Sequence, residues 1–197
     1  YMSKYEVVEK FVSINGEGTK AGQLAVFIRF KGCNLNCKYC DTKWANEQGT
    51  PSQPMTEKEI LDYVLSTGVK NVTLTGGEPL LREGIENVIT VLAENNLNIE
   101  IETNGSVYLD KIRKLHKENV TFTMDYKLSC SGMEAAMNLD NFDILNSNDT
   151  VKFVAGCRED LIKAKQIIEK YNLYGKCNLY ISPVFGMIEP ELSLIHI

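Results

Sequence analysis

Three thiols within eight residues, Cys33, Cys37 and Cys40, stand as C-x3-C-x2-C inside Lys31-Gly-Cys-Asn-Leu-Asn-Cys-Lys-Tyr-Cys-Asp-Thr42. Cysteine thiolates are the usual protein ligands of iron-sulfur clusters, whereas a closed structural zinc site takes four ligands. No fourth Cys or His lies near this loop in the sequence: Cys130, Cys157 and Cys177 are scattered, and the histidines are His116 and His196. The loop therefore points to a four-iron cluster with one iron open to an exogenous ligand. The alternative is a zinc knuckle that borrows a distant fourth ligand. The three scattered cysteines lack cluster spacing and read as small core or loop residues. His116, beside Lys114 and Lys117, reads as a solvated helix residue.

The cysteine loop follows a strand-like run, Leu24-Ala-Val-Phe-Ile-Arg-Phe30. Before it, the β-branched and aromatic segment from Tyr5 to Ile14 predicts an opening strand that runs into the turn Asn15-Gly-Glu-Gly18. After it, Lys43 to Pro54 reads as a surface loop. Thr56-Glu-Lys-Glu59 has the capping-box pattern, so a helix is expected from there to about Gly68. The alternation then continues: strands at 71–75, 97–101, 120–124, 150–155 and 177–181, and helices from Ile85, over 108–117, briefly near 134–137, and over 159–171. Strands alternating with helices imply a parallel sheet with right-handed crossovers, about six βα units after the opening strand. A complete eight-fold barrel needs about 250 residues. The expected fold is therefore α/β, an incomplete, partly open (β/α)6-type barrel in a single domain over residues 1–191. Polar and glycine-rich residues collect at strand ends: the cysteine loop, Gly76-Gly-Glu-Pro79, Glu102-Thr-Asn-Gly105, Asp125-Tyr-Lys127 and Ser182-Pro-Val-Phe-Gly186. In parallel α/β folds that rim is where ligands bind.

Composition narrows the class. The chain has 197 residues, 44% of them hydrophobic, and a formal charge of −5. Its basic residues are interspersed with acidic ones, so no broad nucleic-acid face is expected. No apolar run of about 18 residues suggests a membrane span. Six cysteines without a secretory pattern fit a reducing cytoplasm better than a disulfide framework. Tyr1 ahead of Met2 reads as an upstream in-frame residue. Leu192 to Ile197 match one reading frame of a transposon end used in sequencing libraries. Native sequence is therefore expected to stop near Glu191, with the natural C-terminus missing.

The C-x3-C-x2-C loop after a strand, together with Gly76-Gly-Glu-Pro79 at the next strand end, resembles the radical S-adenosylmethionine (SAM) superfamily. Within it the chain is similar, over nearly its whole length, to the 7-carboxy-7-deazaguanine synthase family of the queuosine pathway, especially its clostridial type. The motifs that carry this likeness are Phe11-Val-Ser-Ile-Asn-Gly-Glu-Gly18, Phe27-Ile-Arg-Phe-Lys-Gly-Cys-Asn-Leu35, Cys40-Asp-Thr42, Leu74-Thr-Gly-Gly-Glu-Pro79 and Ser182-Pro-Val-Phe185. The resemblance implies a [4Fe-4S] cluster on Cys33, Cys37 and Cys40 that chelates SAM through its open iron. It implies a lyase in which a 5′-deoxyadenosyl radical takes hydrogen from C6 of 6-carboxy-5,6,7,8-tetrahydropterin. Ring contraction with loss of ammonia then gives 7-carboxy-7-deazaguanine.

Carried onto this sequence, the likeness assigns SAM contacts to Tyr39, Asp41, Gly77, Glu78, Asp125, Tyr126, Lys127 and Ser182. Gly77 is expected to let the methionyl ammonium approach closely, and Glu78 to supply negative charge near it. Backbone groups of Ile14, Asn15 and Gly16 are expected to mimic a base-pairing edge for the pterin. Arg29 is to face the substrate carboxylate, Thr75 to touch substrate, and Thr42 to bind Mg2+. A homodimer and an electron donor such as flavodoxin or ferredoxin are implied as well.

Some positions depart from the family pattern. Asn15 stands where many members have Gln, Ser182 replaces a frequent Gln, and Asp125-Tyr-Lys127 replaces a common Ser-Pro-Lys. Asp-x-Lys resembles the glycyl-radical activating enzymes, which gives one rival reading. A non-enzymatic zinc or iron-sulfur binding module is the other.

Overall fold

The computed structural model describes residues 4–115 and 118–191. His116 and the segment 192–197, on which expectations were stated above, lie outside the described residues. In chain order the elements are β1 (Tyr5–Ile14), β2 (Leu24–Phe30), β3 (Gln53–Met55), α1 (Glu57–Thr67), β4 (Asn71–Gly76), α2 (Ile85–Glu94), β5 (Asn98–Thr103), α3 (Asp110–Leu115), β6 (Val120–Tyr126), α4 (Asn141–Ile144), β7 (Thr150–Ala155), α5 (Arg158–Lys170) and β8 (Asn178–Pro183). They form one eight-stranded sheet in the order β3-β1-β2-β4-β5-β6-β7-β8. From β2 to β8 every pairing is parallel. The sheet does not close, as the incomplete-barrel reading expected.

Two features depart from a purely parallel sheet. β1 pairs antiparallel with β2, and β3 antiparallel with β1. β3 falls inside the stretch read as a surface loop. Pro54 sits within this three-residue edge strand, a place where the missing N–H of proline is tolerated. α4, with its four residues, was too short to leave a periodic signal.

Strand parity decides what each face of the sheet touches. Val72 and Leu74, Ile99 and Ile101, Phe122 and Met124, Val151 and Phe153 are all buried in the core that packs against the helices. From those helices Ile60 and Val64 of α1, Val88 and Leu92 of α2, and Leu161 and Ile168 of α5 join the same core. Each such side chain contributes roughly 1.5–3 kcal/mol by leaving water. The capping box at α1 forms as expected: the Thr56 hydroxyl accepts from the Glu59 N–H, and the Glu59 carboxylate accepts from the Thr56 N–H. No helix among the described residues is long and apolar enough to cross a membrane.

The β1–β2 connection matters most for the site. Because β1 runs against β2, its C-terminal residue Ile14 pairs with Leu24, the first residue of β2. The turn from Asn15 to Lys20 therefore lies at the end of the sheet opposite the cysteine loop. Its 3-10 turn, Gly18–Lys20, reaches across to β7 and β8. It forms a floor under the strands.

Candidate active site

Between that floor and the strand-end rim lies a cavity of about 420 Å3. The cysteine loop lines it with Cys33, Cys37, Tyr39, Cys40, Asp41 and Thr42. Strands contribute Arg29, Thr75, Glu102, Asp125, Lys127 and Lys152, and the floor contributes Asn15, Gly16 and Glu17. The expectation that all ligand loops share one rim is thus corrected. The Asn15 turn enters from the opposite end because β1 is antiparallel.

The cysteine loop has little hydrogen bonding of its own and is held from outside. The Lys38 N–H donates to Ser131 O (3.0 Å), and the Tyr39 hydroxyl donates to Val154 O (3.1 Å). Cys33 Sγ accepts from the Leu35 N–H (3.4 Å) and from Asn104 Nδ2 (3.5 Å). Burial pushes the Cys37 thiol up, and Lys127 pulls it back; Cys40, Asp125 and Cys33 add to the rise. Lys127 is itself nearly buried and paired with Asp125 at 2.7 Å. Burial works against its charge, but Asp125 and the Cys37 and Cys40 thiols hold its pKa up. A fixed cation therefore stands near Cys37 and Cys40 and opposes the burial that pushes the Cys37 thiol up.

The donor set fits a three-thiolate cluster with an open position. Cys130, Cys157 and Cys177 are absent from the cavity lining, and Cys177 is buried in the core. Among the described residues no fourth cysteine lines the cavity beside the loop. Two buried polar atoms on the cavity residues, Asn46 Oδ1 and Asp125 Oδ1, have no partner among the described residues. A wall that leaves acceptors unpaired suits a polar ligand carrying N–H or ammonium donors.

Gly76-Gly-Glu-Pro79 holds the loop's base, and this corrects the role expected of Glu78. A Cβ on Gly77 would lie 2.1 Å from Gly32 O, and one on Gly76 would lie 2.2 Å from Phe30 O. The glycines let β4 close onto the backbone leading into Cys33. The Gly77 N–H donates to Phe30 O (3.1 Å) and the Glu78 N–H to Gly32 O (2.9 Å). The Glu78 side chain is fully buried and does not line the cavity. Its carboxylate accepts from the Asn104 N–H (2.7 Å), Thr103 Oγ1 (2.9 Å) and the Leu80 N–H (3.1 Å). Burial pushes its pKa up and these three bonds oppose the shift. Glu78 thus braces the Asn104 corner, which in turn touches Cys33.

At the floor, Asn15 has a structural role. Its backbone N–H donates to Gln23 O and its carbonyl accepts from the Gly22 N–H, both at 2.8 Å. The buried amide donates to Glu100 Oε2 (2.5 Å) and to Thr73 Oγ1 (3.4 Å), and accepts from the Glu17 N–H (2.9 Å). Asn15 ties the turn to β4 and β5, and its backbone N–H is already used within the turn. The Ile14 side chain is 64% exposed and lies outside the cavity lining. Gly16 does line the cavity.

Arg29 lines the cavity and engages Glu9 through Nε alone, at 3.0 Å. Thr75 hydrogen-bonds Glu102, a residue to which the sequence reading gave no role. Burial, with Glu17 and Glu100 adding repulsion, pushes Glu102 from 4.5 to about 7, while Thr75 and Lys152 pull it back. Thr42 donates to Asp41 Oδ1 at 2.7 Å.

Tyr126 and Ser182 are the remaining corrections. Tyr126 is 4% exposed and stacks on Phe142, with ring centroids 5.7 Å apart. Strand parity turns it into the core, while its neighbours Asp125 and Lys127 reach the cavity. Ser182, on β8, pairs with Val154 of β7 and does not line the cavity. Glu102 and Asn104 were placed on the ligand rim without a role, and Asn46, Thr123 and Lys152 were missed; these residues carried one readable signal. Thr73 and Thr75, Glu100 and Glu102, Thr123 and Asp125 alternate polar positions with apolar ones along consecutive strands. Asn46, inside an irregular loop, carried none.

A family profile described as the Radical SAM superfamily matches residues 27–127. The chain is 60% identical over 188 residues to a 7-carboxy-7-deazaguanine synthase of Clostridium acetobutylicum, covering 95% of this chain and 85% of that protein. It is 35% identical to a protein of the same name from Chlorobaculum tepidum, over 94% of this chain and 83% of that one. Among solved structures, that of QueE from Escherichia coli superposes with a TM-score of 0.76 at 21% identity, covering 98% of this chain and 87% of that chain. This structural likeness supports the fold.

Proposed function

Because the chain belongs to the radical SAM superfamily, and within it to the 7-carboxy-7-deazaguanine synthase family, we propose the following division of labour in its cavity. The enzyme is a lyase that converts 6-carboxy-5,6,7,8-tetrahydropterin to 7-carboxy-7-deazaguanine with loss of ammonia. Cys33, Cys37 and Cys40 hold the [4Fe-4S] cluster. That cluster, with SAM bound, would supply the hydrogen-abstracting radical chemistry, and the chain's own residues would hold both groups against the pterin.

The observation that carries this reading is that one cavity contains the three cysteines, Arg29 near the C-terminal end of β2, and Gly16 from the floor turn. Arg29 keeps its planar fork for the substrate carboxylate, since only Nε is used by Glu9. Gly16 offers backbone groups to the pterin ring, and Thr75 presents Glu102 to it. Tyr39, Asp41, Asp125, Lys127 and Gly77 surround the SAM end, with Asp125 Oδ1 available to an ammonium group. Thr42, with Asp41 beside it, supplies the hard oxygen ligands that suit Mg2+. The protein's own contribution is to fix the two reactants in contact and exclude water. Closure of the cavity floor by Asn15 and Glu100 serves that end.

An electron donor such as flavodoxin or ferredoxin, a homodimeric assembly and a cytoplasmic setting complete the proposal. The test is anaerobic incubation with reductant, SAM, Mg2+ and 6-carboxytetrahydropterin, followed by mass spectrometry. Formation of 7-carboxy-7-deazaguanine alongside 5′-deoxyadenosine is expected. SAM cleavage without the deazaguanine would overturn the substrate assignment and favour the glycyl-radical activating reading. Absence of acid-labile sulfide would overturn the cluster.

A further inference from the structure

Outside the active-site cavity, two thiols that the sequence separates by 27 positions meet. Cys130 Sγ and Cys157 Sγ lie 2.8 Å apart, each partly exposed. Cys130 belongs to the 3-10 turn Ser129–Ser131 after β6, and Cys157 is the residue from which α5 starts after β7. One fully buried carboxylate fixes both loops. Asp160 Oδ1 accepts from Ser129 Oγ (2.7 Å) and the Cys130 N–H (3.2 Å), and Oδ2 accepts from the Gly156 N–H (2.9 Å). A Cβ on Gly156 would stand 2.9 Å from Cys130 Cβ, so the two loops are already in contact.

Two chemistries use such a trio. A tetrahedral zinc site with Zn–S bonds of about 2.3 Å holds its sulfurs roughly 3.8 Å apart and wants a fourth ligand. Here the sulfurs are closer than that, and both Asp160 oxygens already take donors. A disulfide needs its sulfurs at about 2.05 Å. The separation falls on the disulfide side.

We propose that Cys130 and Cys157 form a redox-active dithiol, a modification site at which a small-molecule disulfide closes a bond between the β6 and β7 loops. Cys130 is packed against Gly156 and held beside the Asp160 carboxylate, whereas Cys157 stands at the start of α5 and is taken as the first nucleophile. Its thiolate displaces one sulfur of the reagent, giving a mixed disulfide and one free thiol. Cys130 gives up its proton and attacks the Cys157 sulfur, releasing the second reagent thiol. Two protein S–H bonds and one reagent S–S bond are exchanged for one protein S–S bond and two reagent S–H bonds. The pair is oxidised by two electrons and the reagent reduced by two.

The bond would join the two segments that grip the cysteine loop. Ser131 O accepts the Lys38 N–H, and Val154 O accepts the Tyr39 hydroxyl. Oxidation here ties the grip together without consuming a cluster thiol.

The reconstituted holoenzyme is to be treated anaerobically with oxidised glutathione, alkylated, digested and mapped by mass spectrometry. A Cys130–Cys157 cross-linked peptide, an intact mass lowered by two hydrogens and unchanged iron content are expected. Cys130→Ser is expected to trap a stable glutathione adduct on Cys157. A persistent glutathione adduct on the unsubstituted protein, both thiols still open to alkylation, or a cross-link that involves Cys177 or a cluster cysteine would each overturn the proposal. None of these readouts requires turnover, so they stand apart from the test of the lyase reaction.

Discussion

Along β4 to β7 one face of the sheet presents Val72, Leu74, Ile99, Ile101, Phe122, Met124, Val151 and Phe153 to the helices, all buried. The opposite face presents Thr73, Thr75, Glu100, Glu102, Thr123, Asp125, Thr150 and Lys152. Most of these are buried too, yet they are polar. Parallel strands buried on both faces usually read as continuous apolar runs. Here one face is kept polar because its neighbour is a ligand cavity. Burying carboxylates costs several kcal/mol unless donors satisfy them. The inner face meets that demand by cross-linking: Glu100 accepts from Asn15, Thr73 and Thr123 at 2.5, 3.3 and 2.6 Å. The outer face gains stability from contact area and the inner face fixes geometry, so damage to the two should read out differently.

The largest stability effect is expected on the outer face. Phe122→Ala should cost about 3–5 kcal/mol, read from a denaturant midpoint, with little change in KM for the pterin. On the inner face, Glu100→Ala strands the Asn15 amide and the Thr123 hydroxyl and should cost on the order of 3 kcal/mol. It should also raise KM by freeing the floor turn, whereas Glu100→Gln recovers part of both. If Glu100→Ala lowers stability and leaves KM unchanged, the floor does not position substrate.

Gly77→Ala sharpens the boundary between the faces. The Gly32 backbone 2.1 Å from the new Cβ cannot yield cheaply, so about 1–3 kcal/mol of strain is expected. Iron retention should fall with it, measured against total protein.

A smaller effect is carried by Glu102. Its folded pKa is raised from 4.5 to about 7, so between those values the native state holds a proton that the unfolded chain has lost. Stability contributed below that window is therefore lost as pH rises through it, about 1–2 kcal/mol after allowing for partial exposure. Glu102→Gln should flatten this slope in pH-dependent unfolding. Arg29→Lys should be mildest for stability and raise KM roughly tenfold, about 1.4 kcal/mol.

Much of the fold was legible because the signals were local. The Thr56 capping box, the apolar faces of α1, α2 and α5, and the glycine-rich strand ends each declare themselves within a few residues. The cysteine loop was legible because three thiols at that spacing have few other uses. What stayed hidden depends on which groups meet across the assembled sheet. Glu78 and Gly77 stand in the right motif, but their partners, Asn104 and Gly32, are known only once β4 packs between β2 and β5. The Asn15 turn could be assigned to the substrate end, yet its direction follows from β1 being antiparallel. Tyr126 was grouped with Asp125 and Lys127, although strand parity alone separates it from them. Cys130 and Cys157 were read apart because no spacing rule joins residues on adjacent βα loops.

The floor turn has a further consequence for how the chain is made. Asn15 bonds to Glu100, 85 positions away, and Glu17 pairs with Lys152, 135 positions away. Such contacts form slowly, since long loops must close before they are rewarded. During synthesis at roughly 5–20 residues per second, the first thirty residues must wait for β5 and then β7 to emerge. The cysteine loop can meet Gly76 and Gly77 much sooner. The base of the cysteine loop is therefore set early, by β4, while its grip by Ser131 and Val154 is completed, like the floor turn, only when the later strands have emerged.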